Sequence, residues 1–83
     1  MSKVSAVDFG NVVLVEVANH VTAFDQNSNQ AIDYYSRAFG KPAYLVSKVS
    51  SRSVRYRGRN STILNQLRRI NPYTLRWSEY RIS

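Results

Sequence analysis

Hydrophobic and polar positions along the chain change period several times, and each change predicts a new element. Residues 11–18 are rich in β-branched side chains, which predicts a strand at the centre of a sheet. Since side chains alternate across a strand, one face is expected to meet the core through Val13, Val15 and Val17. The other face is expected to carry Val12, Leu14 and Glu16.

A helical period follows, and it predicts the best-defined element of the chain. Asn27 or Ser28 can cap a helix that runs to Phe39. Its apolar positions fall on one side of a 3.6-residue wheel: Ala31, Ile32, Tyr35, Ala38 and Phe39. Gly40, with Pro42 two residues later, predicts where it ends. The segment 19–26 before it is predicted to be a loop, with Val21 and Phe24 turned inward.

The rest of the chain alternates between strand and helix patterns. Strands are predicted over residues 43–49 and 53–57, joined by a turn at 50–52. Asn60 can cap a second helix over 61–70, whose apolar stripe is Ile63, Leu64, Leu67 and Ile70. A looser alternation over 73–82 predicts a closing strand.

The predicted order β-α-β-β-α-β is that of an α+β domain with the split βαβ, ferredoxin-like arrangement. In that arrangement both helices pack on one face of a single sheet. Right-handed crossovers then put strands 11–18 and 53–57 in the middle of the sheet. Residues 1–10 are predicted to be an N-terminal arm or a short edge strand. A chain of 83 residues has room for one core, so residues 1–83 are predicted to be a single domain.

Charge is distributed unevenly along the chain, whose net charge is +7. Residues 1–41 hold three basic and four acidic side chains (−1), whereas residues 42–83 hold nine basic and one acidic side chain (+8). Arginine outnumbers lysine nine to three. Since guanidinium groups contact phosphate and carboxylate through planar, bidentate hydrogen bonds, this choice favours recognition of an anion over general solubility.

Arginine is densest in residues 52–59, Arg-Ser-Val-Arg-Tyr-Arg-Gly-Arg. The two-residue period of this stretch lets a strand bury one face and line the other with guanidinium groups. If Val54 and Tyr56 face the helices, the open face of the sheet carries Arg55 and Arg57. Protection of an edge strand by charge is the competing explanation for these arginines.

The closing strand adds Arg76 and Tyr80 to the same open face. If the arginine-rich strand takes the opposite register, its open face carries Tyr56 instead. Either arrangement combines arginines with an aromatic ring, the chemistry that binds single-stranded nucleic acid. The chain lacks the glycine and aromatic spacing of RNA-recognition modules, so this comparison concerns geometry alone. The predicted binding site comprises Arg52, Arg55, Tyr56, Arg57, Arg59, Arg76 and Tyr80.

Two functions follow from this site. The first is a non-enzymatic protein that binds single-stranded RNA or DNA. The second is a small adaptor, linker or inhibitor that docks its basic face on an acidic protein within a larger assembly, because arginine is enriched at interfaces as well. A homo-oligomer or a larger complex would fit either function.

Enzymatic and metal chemistry have little support in the sequence. There is no cysteine, and the single histidine, His20, lies in a predicted loop. Neither a metal site nor a cofactor is expected, and the remaining enzyme class is a small ribonuclease that works with arginine and tyrosine. The longest apolar run, residues 12–15, is too short to cross a membrane or to form a signal-peptide core, so a cytoplasmic protein is expected.

Overall fold

The computed structural model describes residues 2–82, with side chains from residue 3 onward; Met1 and Ser83, the ends of the predicted domain, lie outside the described residues. Within this range the strands are β1 (Ser2–Asp8), β2 (Val13–Glu16), β3 (Ala43–Ser50), β4 (Ser53–Arg57) and β5 (Ser78–Ile82). The helices are α1 (Asn19–Ala23), α2 (Asp25–Phe39) and α3 (Ser61–Arg68), followed by a 3₁₀ turn at Pro72–Thr74. The result is a small α+β domain with one mixed five-stranded sheet and two main helices, α2 and α3.

The strands of the sheet lie in the order β4-β3-β2-β1-β5. β2 and β3 pair in parallel through the crossover that contains α1 and α2, and the other neighbours pair antiparallel. β2 is therefore the central strand, as its composition predicts.

Both faces of the central strands are buried, and each face has its own core. Residues 12–15 are at most 5% exposed, and residues 43–46 at most 3%. On the face covered by α2, called the α2 face, the buried core is Ala6, Val13, Val15, Ile32, Ala43 and Leu45. On the opposite face, called the α3 face, it is Val12, Leu14, Tyr44, Val46, Tyr56 and Leu67. The two main helices thus lie on opposite faces of the sheet.

The predicted ferredoxin-like arrangement is therefore wrong in two respects. The helices do not share a face, and β2 pairs directly with β3, whereas a split βαβ unit would place another strand between them. The physical reason lies in the apolar run of residues 12–15. Helices on one face alone would leave Val12 and Leu14 in water, and α3 removes that cost by covering them.

The arginine-rich strand and the N-terminal segment also lie in other positions of the sheet than predicted. β4, predicted near the middle, is an edge strand because β3 separates it from β2. β1, predicted as an arm or an edge strand, lies inside the sheet between β2 and β5. A tight turn returns β1 into β2, and in it the Gly10 amide donates to Asp8 Oδ1 at 2.7 Å.

Several local predictions are confirmed. Gly40 ends α2 in the left-handed conformation, with φ of 70°, and Asn60 Oδ1 caps α3 by accepting from the amides of Thr62 and Ile63.

The loop predicted over residues 19–26 is wrong in part, since this segment contains α1 and the start of α2. Phe24, at the junction of these two helices, is 64% exposed and is not turned inward.

Candidate nucleic-acid interface

The arginines of β4 lie on the α2 face, and one of them has a structural contact. Arg55 stands opposite Ser47 of β3, and Arg57 stands opposite Leu45. The Arg57 side chain donates from Nε to the carbonyl oxygen of Thr22 at 3.0 Å, in the last turn of α1. A cation at this end of a helix meets unpaired carbonyl groups. Arg57 therefore helps to hold α1 on the sheet.

The carbonyl group that Arg57 contacts belongs to a buried polar cluster. The hydroxyl of Thr22 lies 2.9 Å from the hydroxyl of Ser47, and both side chains are fully buried. Ser47 Oγ also lies within hydrogen-bond distance of the carbonyl oxygens of Val17 and Ala18, just before α1. These bonds fix α1 against β3, so the acceptor for Arg57 is held in place.

Tyr56 is part of the α3-side core and does not form an exposed stacking surface. Its side chain is 4% exposed, and its hydroxyl donates to the carbonyl oxygen of Ile70 at 3.1 Å. Burial raises the pKa of the Tyr56 phenol above its ordinary value of 10.0. Of the two registers considered for this strand, the structure has the one in which Val54 and Tyr56 face a helix.

The other predicted site residues do not join the β4 arginines. The Arg59 side chain forms an ion pair with Asp33 of α2, with Nη2 and Oδ1 2.7 Å apart. Tyr80 lies on β5 and packs edge-on against Phe39, with ring centroids 5.1 Å apart. Because β4 and β5 are the two ends of the strand order, about 19 Å of sheet separates them. Arg76 precedes β5 and belongs to no strand.

The lysines and the arginines differ in how many of them form ion pairs. Each of the three lysines contacts a carboxylate: Lys3 with Glu79, Lys41 with Asp8, and Lys48 with Glu16. Of the nine arginines, only Arg59 forms an ion pair with another residue described in the structure. The eight others are Arg37, Arg52, Arg55, Arg57, Arg68, Arg69, Arg76 and Arg81. Almost all of the uncompensated positive charge is therefore carried by guanidinium groups.

An aromatic cluster lies on the α3 face beside the β3–β4 turn. The hydroxyl of Tyr73 donates to the carbonyl oxygen of Ser50 at 3.2 Å. The ammonium group of Lys48 lies 4.8 Å from the centroid of the Tyr73 ring and 5.7 Å from that of Trp77. Trp77 Nε1 donates to the carbonyl oxygen of Pro72 at 2.8 Å. We call Lys48, Tyr73 and Trp77 the hairpin aromatic cluster.

Two of the unpaired arginines lie next to this cluster along the chain. Arg52 is in the β3–β4 turn, two residues after Ser50, and Arg76 immediately precedes Trp77; both are exposed. Tyr73 is 52% exposed. An exposed ring beside unpaired guanidinium groups can stack a base while the arginines contact phosphate.

The closing strand predicted over residues 73–82 includes Tyr73 and Trp77, but in the structure neither residue belongs to a strand. The local signal against that strand is Asn71-Pro72. Asn71 Oδ1 accepts from the Tyr73 amide at 2.9 Å, and proline favours the start of a turn, so a 3₁₀ turn forms where the strand was predicted to begin. β5 starts only at Ser78.

The grouping of acidic residues, one groove and the length of the helices complete the description of residues 2–82. No group of three or more His, Asp or Glu residues within them could hold a metal ion. A groove of about 610 Å³ opens between α2 and the start of α3, but Lys41 and Arg59, its charged lining residues, already pair with Asp8 and Asp33. Between residues 2 and 82, no helix is both long and apolar enough to cross a membrane.

Comparisons with known proteins return no relative: the chain matches no protein-family model, no curated protein sequence and no solved structure.

Proposed function

We propose that this protein is a non-enzymatic module that binds single-stranded nucleic acid. In this proposal the hairpin aromatic cluster stacks a base through Tyr73, and Arg52 and Arg76 contact the phosphates on either side. The observation that carries the proposal is a half-exposed Tyr73 that is fixed by two contacts. Close to it and to Ser50 along the chain lie Arg76 and Arg52, which form no ion pair with a carboxylate within residues 2–82.

The Tyr73 ring is held in position before any ligand binds. Its hydroxyl is anchored on Ser50, and its ring carries the cation–π contact with Lys48. A side chain that is already ordered loses little conformational entropy on binding. Base stacking on an aromatic side chain contributes about 1–3 kcal/mol per base, so one fixed ring is a useful anchor.

The charge distribution supplies the second part of the proposal. Because eight arginines lack a carboxylate partner among the described residues, the positive potential extends beyond the cluster and attracts a polyanion from any direction. Phosphate contacts of this kind release counterions, so affinity should fall as salt rises. Single strands are favoured over duplexes because the faces of unpaired bases are free to stack.

The second candidate function is an adaptor, linker or inhibitor that binds an acidic protein. The observation that favours it is the position of β4 as an edge strand that carries Arg55 and Arg57. An extended acidic segment could add to this edge through backbone hydrogen bonds and place carboxylates near the arginines. Such a complex would depend on β4 and not on Tyr73, which separates the two candidates.

Fluorescence anisotropy of labelled single-stranded RNA, single-stranded DNA and duplex DNA tests the proposal. Tyr73→Ala removes the stacking ring, and Tyr34→Ala is the matched control because it removes a similarly exposed tyrosine from α2. Tyr73→Ala is expected to weaken single-strand binding at least fivefold, since about 1–3 kcal/mol of stacking is lost. Tyr34→Ala should bind as the wild type does.

Two outcomes would reject the proposal. One is that none of the three probes binds at physiological salt. The other is that both tyrosine variants bind as tightly as the wild type, which would place any nucleic-acid contact away from the hairpin aromatic cluster. Preference for the duplex would assign the contact to another surface, such as the C-terminal end of α3, where Arg68 and the following Arg69 are exposed.

A further inference from the structure

The two edges of the sheet differ in what they offer to a second strand. β4 and β5 are the end strands of the described sheet. β5 alternates its side chains: Glu79 and Arg81 lie on the α3 face, whereas Tyr80 lies on the α2 face against Phe39. Glu79 and Arg81 are both exposed. The edge at β5 thus presents one acid and one base, two residues apart on the same face.

This spacing makes β5 complementary to itself. If two β5 strands pair antiparallel about a two-fold axis at Tyr80, residue 79 of one copy stands opposite residue 81 of the other. Glu79 then faces Arg81 of the second copy, and the symmetry repeats this pair on the other side of the axis. Opposite charges directly across an antiparallel pair are stabilising, so both cross-strand pairs favour this register.

β4 has the opposite property. An antiparallel pair of β4 strands centred on Tyr56 would set Arg55 opposite Arg57, and one centred on Arg55 would set that arginine against its own copy. Like charges directly opposite each other are destabilising. The edge at β4 therefore resists pairing with a second copy, as charged edge strands commonly do.

Within one chain the charges of β5 are poorly satisfied. Arg81 stands directly opposite Lys3 of β1, which places two cations side by side. Lys3 does reach Glu79, but at 3.7 Å, with the two side chains 60% and 63% exposed. A second copy would give Arg81 the directly opposed carboxylate that its own chain does not place there.

The α2 face adds an apolar contribution at the same axis. Tyr80 is partly buried and packs against Phe39 of α2. Residues directly opposite in an antiparallel pair have Cβ atoms about 4.5–5.5 Å apart, so the two Tyr80 rings would meet at the axis. Aromatic side chains that meet in this way gain a further contact and leave water.

We propose that a second copy of this chain pairs with β5, joining the two sheets into one of ten strands, five from each copy. The interface consists of the β5–β5 ladder, the two Glu79–Arg81 pairs and the Tyr80 contact. This inference is independent of nucleic-acid binding, because the hairpin aromatic cluster contributes no residue to it. It also leaves both β4 edges at the outer ends of the joined sheet.

Sedimentation velocity over a concentration series tests this dimer with the intact protein. The wild type is expected to dimerise. Glu79→Arg and Arg81→Glu each replace two attractive pairs by two repulsive ones, so each variant should raise the dissociation constant about tenfold or more. An equimolar mixture of the two variants restores opposite charges in a mixed dimer and should recover the wild-type sedimentation.

Arg37→Glu is the matched control for Arg81→Glu, because it makes the same charge change on the exposed side of α2. It should dimerise as the wild type does, and circular dichroism checks that every variant is folded. A second measurement needs no variant: hydrogen exchange of the β5 amides should slow as the protein concentration rises, while exchange of the β4 amides should not change.

The proposal fails if the wild type remains monomeric into the hundred-micromolar range. It also fails if the two folded single variants dimerise like the wild type, or if their mixture stays monomeric. Protection that appears at β4 and not at β5 would equally contradict it, since that result would assign pairing to the other edge.

Discussion

The side chain of Arg57 donates from Nε to the carbonyl oxygen of Thr22 at 3.0 Å, which ties the edge strand β4 to the end of α1. The arginine-rich strand therefore contains two kinds of arginine. Arg57 supports the fold, whereas the side chain of Arg55, two residues away on the same face, forms no hydrogen bond or ion pair with any residue that the structure describes.

Arg57→Ala is expected to lower the free energy of unfolding by about 1 kcal/mol, since a charge-assisted hydrogen bond at a partly buried site is lost. Arg55→Ala removes the same charge from the same strand and should leave stability within about 0.5 kcal/mol of the wild type. Urea denaturation of both variants makes the comparison. Equal effects at the two positions would contradict a structural role for the Arg57 contact.

Tyr56→Phe is expected to destabilise the protein by about 1 kcal/mol, because the phenol hydroxyl that bonds to the Ile70 carbonyl group is removed from the core. It should also change the alkaline response. The folded-state pKa of Tyr56 is raised by burial, so the unfolded chain releases this proton first and stability falls as pH rises above about 10.

Denaturation of Tyr56→Phe between pH 8 and 11 should therefore show a weaker loss of stability than the wild type shows. Part of the loss should persist, because the pKa of Tyr35 is also raised, first by burial and then by the nearby Tyr34. An unchanged alkaline slope in the variant would show that Tyr56 is not protected from solvent.

The Asp8–Lys41 ion pair predicts an acid-dependent contribution to stability. The Lys41 ammonium group lies 2.9 Å from both carboxylate oxygens of Asp8, and this contact, followed by the bond from the Gly10 amide, lowers the pKa of Asp8 below its ordinary value of 3.8. A lowered folded-state pKa gives stability that is present above pH 3.8 and is lost as pH falls below it.

Asp8→Asn should therefore flatten the dependence of unfolding free energy on pH around and below the ordinary pKa of 3.8. Asp25→Asn is a suitable control, because Asp25 forms no ion pair with the described residues. Thermal or denaturant unfolding at a series of pH values measures both. Equal flattening in the two variants would rule out a particular contribution from the Asp8–Lys41 pair.

Gly58 is expected to tolerate no side chain. A Cβ atom at this position would overlap the ring of Tyr44, which is 3% exposed and fixed in the α3-side core. Gly58→Ala should destabilise the protein by about 1–3 kcal/mol, the usual cost of overpacking. In a double-mutant cycle, Tyr44→Leu should relieve part of this cost; strictly additive effects would contradict the clash.

Local elements were largely predictable from the sequence. Three such features are the end of α2 at Gly40, the cap of α3 at Asn60 and the turn between β3 and β4. Each depends on residues that are close in the chain, so the sequence pattern can predict it without tertiary information. The strand order could not be predicted in this way, because it depends on the position of β1. The short alternation of residues in β1 gave no indication that it pairs with both β2 and β5 inside the sheet.

The placement of the helices was less predictable, although a signal existed. Four consecutive apolar residues at 12–15 are typical of a strand that is covered on both faces, but alternation alone assigns only one face to the core. That assignment left an open face on which the predicted site was built. α3 covers part of that face and buries Tyr56.

The candidate site could be predicted only in part. Arg52 and Arg76 remain in it, but Tyr73 enters through contacts with Ser50 and Lys48, which lie more than twenty residues earlier in the chain. Sequence pattern gives the type of a residue, whereas the exposure of its ring depends on how the segment 71–77 crosses the sheet.

The most direct test of nucleic-acid binding is the salt dependence of single-stranded RNA affinity, measured for the wild type and for the double variant Arg52→Ala/Arg76→Ala. Loss of two phosphate contacts should reduce the slope of log affinity against log salt by about 1.4, whereas Arg37→Ala should leave the slope unchanged. A double variant that keeps the wild-type slope and affinity would contradict the proposed function.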